Sequence, residues 1–145
     1  MSEEGFFATM VMSRYWPRTG KVHIARAGHQ HPLWVKNHGF QELTNINGIP
    51  IGIDSEAEYE KVAFDLLPGE SILLVTGGIT EAENEKGELF GNDRLTDYFK
   101  LATGPPWSQG LLEKIDSWRG GAVMNDDLTI LELWRDLPSN VVGPN

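Results

Sequence analysis

At 145 residues the chain has room for one domain with a single buried core. A hydrophobic share of 40% with five tryptophans argues for a folded chain and against disorder. A net charge of −9 and a pI near 4.8 exclude a basic surface for nucleic acid or anionic membrane, and the absence of cysteine leaves only oxygen and imidazole to hold a metal. The sequence shows neither a basic-then-apolar leader pattern nor an apolar run of bilayer-crossing length, and a cytoplasmic protein is expected.

In chain order, Phe6 to Trp16 is rich in aromatic and β-branched residues, and Pro17-Arg18-Thr19-Gly20 reads as a turn. Lys21 to Ala27 sets Val22, Ile24 and Arg26 against His23 and Ala25, which predicts an antiparallel hairpin. A second hairpin is predicted from Leu33–Lys36 to Phe40–Leu43 across Asn37-His38-Gly39, a turn suited to positive φ. Tyr59 to Leu66 is a further, imperfectly alternating strand. Ser71-Ile72-Leu73-Leu74-Val75-Thr76, bracketed by Pro68-Gly69 and Gly77-Gly78, reads as a buried central strand.

After it the hydrophobic period changes. Leu95, Tyr98, Phe99 and Ala102 give helical spacing over Asn92 to Thr103, with Asn92 or Asp93 as the expected cap. Leu111, Leu112, Ile115 and Trp118 mark a second helix from Pro106 to Arg119, stopped by Gly120-Gly121. Leu128 to Trp134 closes as a buried strand. The order predicts an α+β fold of antiparallel sheets with helices packed outside. The loop-like tail 137–145 is expected to be flexible, leaving 1–136 as the domain.

Three strings carry chemistry-bearing residues. At the end of the central strand, paired glycines let the backbone turn and approach a ligand, and Thr80, Glu81, Glu83, Asn84, Glu85 and Glu88 follow as hard oxygen donors. The same pattern also fits a glycine turn and a solvated acidic loop with no site. A Ca²⁺ loop through Glu81 to Glu88 is a third reading, though it lacks EF-hand spacing. Asn125-Asp126-Asp127, just before the last strand, places adjacent carboxylates at a sheet end, as either ligands or a solvated flank. In Ala27-Gly28-His29-Gln30-His31-Pro32-Leu33 two histidines flank one residue, a spacing more often structural than metal-binding.

These strings, in this order, resemble the metal-dependent protein phosphatases (PPM, type 2C), specifically the bacterial branch similar to stage II sporulation protein E and the regulators of sigma factors. Leu67-Pro68-Gly69-Glu70 is similar to that branch's Leu-x-Pro-Gly-Asp turn. Thr76-Gly77-Gly78-Ile79-Thr80-Glu81-Ala82 is similar to Thr-Asp-Gly-Val/Ile-Thr-Glu-Ala. The Ala27–Leu33 string, Gly48-Ile49-Pro50-Ile51-Gly52, Leu89-Phe90-Gly91 with Arg94-Leu95, and Asp126-Asp127-Leu128-Thr129 resemble its Ala-Gly-His-x-Pro-Pro-Leu corner, Gly-Leu-Pro-Leu-Gly loop, Phe-Gly-x-x-Arg-Leu helix entry and closing Asp-Asp-Ile-Thr motif.

The resemblance implies an antiparallel β-sandwich with outer helices, here lacking its N-terminal strands and helices, and removal of phosphate from phosphoserine or phosphothreonine. It implies two Mg²⁺ or Mn²⁺ ions that activate a bridging water. Asp126 takes the position of a metal ligand, with Thr76, Gly78 and Asp127 supporting the site and His29 given no catalytic role. The implied partner is a phosphoprotein such as an anti-sigma factor antagonist. Two departures accompany the match. Gly77 stands where the family carries a metal-binding aspartate, and the family's early Asp-x-x-Gly-His-Gly motif has no counterpart. At most trace phosphatase activity is therefore expected, with a phosphoprotein-binding module as the alternative. Exposed sheet edges predict a homo-oligomer or strand-exchanged dimer.

Overall fold

The computed structural model describes residues 5–36, 39–123 and 127–138. The Asn37-His38 turn, Asp126 and residues 139–145 of the expected tail lie outside the described residues.

Among the described residues ten elements follow one another: β1 Met10–Trp16, β2 Lys21–Ala27, β3 Leu33–Lys36, β4 Gly39–Glu42, β5 Lys61–Asp65, β6 Ser71–Thr76, a 3₁₀ turn Ile79–Glu81, α1 Gly91–Leu101, α2 Ser108–Arg119 and β7 Thr129–Trp134. They form two antiparallel sheets. A three-stranded sheet runs β1-β2-β5 and a four-stranded sheet runs β4-β3-β6-β7.

The alternation of side chains along β3 and β6 assigns their two faces to different cores. Leu33, Val35, Leu73 and Val75 pack with Phe90, Leu95, Phe99, Trp107, Leu111 and Ile115, joining the four-stranded sheet to the helices. Ile72, with Trp34, Leu74 and Leu133, packs against Val22, Ile24 and Leu66 between the sheets. Burial on both faces is why β6 reads as a continuous apolar run instead of an alternation. Each fully buried Leu, Ile or Phe contributes roughly 1.5–3 kcal/mol. Among the described residues the layers are therefore three-stranded sheet, four-stranded sheet, helices, and the outer helices cover one sheet only.

The helix starts differ from expectation. Neither Asn92 nor Asp93 caps α1, whose N-cap is Phe90 with no side-chain hydrogen bond. The hydrophobic register wins here: Phe90 is 0% exposed, and burying it fixes where the helix begins. At α2 the cap comes from another element. The Glu132 carboxylate of β7 accepts hydrogen bonds from the Trp107 N–H at 2.9 Å and the Ser108 N–H at 2.9 Å. A negative charge there satisfies free donors and complements the helix dipole. Beside it, the Tyr98 hydroxyl donates to the Trp107 carbonyl at 2.7 Å, and burial first, then Glu132 and Glu113, raise the Tyr98 pKa.

Two anchors tie the sheets together. Glu70 is buried, and its carboxylate accepts from Trp34 Nε1 at 3.1 Å and from the Leu67 N–H at 2.9 Å. The Arg135 guanidinium donates to the carbonyls of Leu66 at 2.9 Å and Thr19 at 3.1 Å, pinning the end of β7 to the β1–β2 turn.

Candidate functional site

The site is built at one end of the four-stranded sheet. Strands β6 and β7 run antiparallel with Thr76 opposite Thr129, so the chain leaves β6 where it enters β7. The Thr129 N–H donates to Thr76 Oγ1 at 3.1 Å, which ties the two ends together. Asp127, two residues upstream of Thr129, is exposed beside this junction, and Asp126 lies outside the described residues.

The Gly77-Gly78 turn projects from the same end. Gly77 has φ 68° and Gly78 φ 41°, both in the left-handed region that glycine enters without a Cβ penalty. At Gly78 space adds to conformation, because a Cβ would lie 2.5 Å from Glu81 Oε2. The Gly78 carbonyl accepts from the Glu81 N–H at 3.0 Å and opens the 3₁₀ turn.

The acidic segment after the turn closes on itself. Asn84 Oδ1 accepts from the N–H groups of Lys86 at 3.0 Å and Glu88 at 2.9 Å, and Asn84 Nδ2 donates to Glu88 Oε2 at 2.8 Å. Glu85 Oε1 accepts from the Gly121 N–H at 3.1 Å, at the end of α2. Among the described residues no three His, Asp or Glu side chains converge as a metal cage, which removes support from the Ca²⁺ loop reading. The donors at the Gly77 turn do not fit a two-ion centre either. Gly77 and Gly78 offer carbonyls alone, the Thr76 hydroxyl accepts from the Thr129 N–H, and among the described residues the carboxylates there are Asp127 and Glu81, one short of a three-carboxylate cage.

The other two strings form a buttress. Gly28 and Gly48 meet, with the Gly28 N–H donating to the Gly48 carbonyl at 2.8 Å. A Cβ on Gly28 would sit 2.4 Å from Pro50, and one on Gly48 would sit 1.9 Å from the Arg26 carbonyl. Arg26 Nε reaches the Ile46 carbonyl at 2.8 Å, and its Nη1 donates to the His29 carbonyl. His29 Nδ1 lies 3.1 Å from the Gln30 carbonyl.

His31 points elsewhere than sequence spacing suggests. With Gln30, Glu42, Gly78, Thr80 and Glu81 it lines a hollow of about 260 Å³ behind the glycine turn. Sequence reasoning did not join His31 to Glu42, because the two come together only through the β3–β4 hairpin.

This arrangement of sheets, turn and helices has counterparts. The phosphatase domain of the cell fate determinant SpoIIE from Bacillus subtilis superposes with a TM-score of 0.64 at 18% identity, covering 90% of this chain and 60% of that one. The RsbU and RsbW domains of Rv1364c from Mycobacterium tuberculosis give a TM-score of 0.66 at 22% identity, covering 88% of this chain and 36% of that one. Protein IcfG of Synechocystis sp. is 25% identical over 136 residues, which is 90% of this chain and 21% of that protein. The chain thus spans only part of the relatives it matches, and the fold it shares with the two structures is that of the type 2C phosphatase domains, an α+β arrangement of antiparallel sheets and helices. The profile of the stage II sporulation protein E (SpoIIE) family matches residues 1–136, and the chain belongs to that family.

Proposed function

We propose that this chain is the later portion, residues 1–136, of a PPM-type serine/threonine phosphatase domain that acts in the cytoplasm on a phosphoserine of a regulatory protein such as an anti-sigma factor antagonist. The observation that supports the reading is the junction of β6 with β7, where the chain leaves one strand at Thr76, just before the glycine turn, opposite the point at which it enters the other at Thr129. In that reading Asp126 is a metal ligand for Mg²⁺ or Mn²⁺, and Thr76, Gly78 and Asp127 shape the site around it. The family chemistry is metal-dependent hydrolysis, and no step of it is derived through the present donor set.

Gly77 makes the chain as it stands a trace catalyst at most. Its φ of 68° is one that aspartate tolerates better than most residues. The test is Gly77→Asp in a protein extended upstream, assayed with Mn²⁺ on a phosphoserine peptide. Recovered turnover supports the phosphatase. Inert protein that still binds the phosphopeptide supports the second reading, a degenerate phosphatase used as a phosphoprotein-binding module, which the missing carboxylate at Gly77 favours. Substantial turnover by the unaltered chain would refute the trace-activity expectation. Self-association through exposed sheet edges belongs to the same proposal.

A further inference from the structure

The hollow behind the glycine turn is assembled from segments far apart in sequence. The β3–β4 register sets Glu42 opposite Leu33, and the 3₁₀ turn after β6 contributes Thr80 and Glu81. Its floor is apolar: Leu33, Val75, Ile79 and Leu95 are all buried. Its rim is polar and acidic, with Glu42 and Glu81 joined by Gln30, His31 and Thr80. Gly78 helps to set that rim, because a Cβ there would meet Glu81 Oε2 at 2.5 Å and displace the carboxylate. Among the described residues these rim side chains are spent on no hydrogen bond or ion pair.

Size, charge and spacing narrow what such a hollow takes. At about 260 Å³ it is smaller than the roughly 300–1,000 Å³ of sites for drug-sized ligands, so a single side chain suits it better than a cofactor. No Lys or Arg lines it, and an anion, the phosphoryl group included, would meet two carboxylates with nothing to neutralise it. Geometry disfavours a chelated metal ion, since among the described residues His31, Glu42 and Glu81 do not converge to a coordination shell. Acceptors too far apart for one ion suit a larger cation. A guanidinium spreads its N–H donors over a rigid planar fork, and its methylene stem can lie on an apolar floor while the charge stays at the rim.

We propose that the hollow receives an arginine side chain of the phosphoprotein that docks on this face. That the partner is a phosphoprotein rests on the phosphatase reading above; the arginine rests on the hollow itself. Gly78 belongs both to the turn and to the wall of the hollow, so the arginine and the phosphoserine lie on one short segment of the partner.

The probe is a capped arginine, N-acetyl-arginine methylamide, with its citrulline counterpart as a control of the same shape without the charge. Arginine at neutral pH should shift the amide NMR signals of Glu42, Thr80 and Glu81, and citrulline should bind about ten-fold more weakly. Glu42→Gln and Glu81→Gln, each confirmed as folded by circular dichroism, should weaken arginine binding several-fold and leave citrulline unchanged. Equal binding of the two probes, or arginine binding indifferent to both substitutions, overturns the proposal. The same titration in a protein extended upstream tests for an occupant from its own chain. Shifts that vanish there would mean that earlier residues fill the hollow, and would overturn the proposal as well.

Phosphoserine peptides carrying arginine or citrulline at successive offsets separate this proposal from the reading it rests on. Tighter binding with arginine at one offset, lost in Glu42→Gln and dependent on the phosphate, supports both. An arginine preference that ignores the phosphate sustains the hollow and overturns the phosphoprotein reading. Phosphate-dependent binding that ignores arginine at every offset does the reverse.

Discussion

The four-stranded sheet and the three-stranded sheet are made from similar amounts of strand yet live in different environments. One is covered by a sheet on one face and by α1 and α2 on the other; its outward leucines and valines meet Phe90, Phe99 and Leu111. Among the described residues the other is covered once. Its outer face carries Met10, Met12, Arg14 and Trp16 of β1 opposite Ala27, Ala25, His23 and Lys21 of β2, with Lys61, Ala63 and Asp65 of β5 beyond. On the doubly covered sheet, side-chain identity is dictated by packing. On the singly covered one it is dictated by solvent, local charge and the open edge, and the same kind of substitution should have very different effects.

The largest contrast comes from the helix-covered side. Phe99, fully buried among Phe40, Tyr98 and Trp107, is expected to cost about 3–5 kcal/mol when replaced by alanine, read as a shifted denaturant midpoint. Glu132→Ala removes the carboxylate that receives the first N–H groups of α2 and should cost about 2 kcal/mol, a value typical of a strong cap. Amide exchange at Trp107 and Ser108 should accelerate in step; unchanged exchange would count against the cap.

On the bare side the expected effects are smaller and depend on pH. His23 stands edge-on to the Trp16 ring at 4.7 Å, and its pKa is lowered below 6.5 by desolvation first, then by Lys61, Lys21 and Arg14. The fold therefore favours neutral imidazole. Its contribution is fully present above the ordinary value and is lost as pH falls through the lowered one. His23→Gln should narrow the drop in Tm between pH 7.5 and pH 5.5, and an identical drop in both proteins would remove the effect. Ala63→Ser, on the exposed middle of β5, should move stability by no more than about 0.5 kcal/mol. A cost near that of Phe99→Ala would mean the outer face is covered after all.

Strands were legible in the sequence wherever alternation or an apolar run met glycine or proline at its ends. β2 and β6 lie where Lys21–Ala27 and Ser71–Thr76 were bracketed. β7 lies within the predicted run Leu128–Trp134, but its pairing with β6 joins positions fifty-three residues apart, Thr76 with Thr129, which local pattern does not announce. What could not be read was supplied from a distance: Glu132 capping a helix twenty-four residues upstream, Glu70 receiving the Trp34 indole, Arg135 reaching Leu66. Local propensity nominated Asn92 and Asp93 as caps, and burial of Phe90 overruled it. The acidic run Glu81–Glu88 looked like a ligand cluster because spacing says nothing of direction; its side chains instead close a turn and hold the end of α2.

The dependence of α2 on Glu132 also orders events during synthesis. The helix is translated before β7, so its leading N–H groups wait without their acceptor until the final strand has cleared the ribosome. Until then the β6 flank that β7 will take is a raw border beside an apolar floor. A nascent chain stalled between Arg119 and Glu132 should accordingly be the form most prone to capture by chaperones.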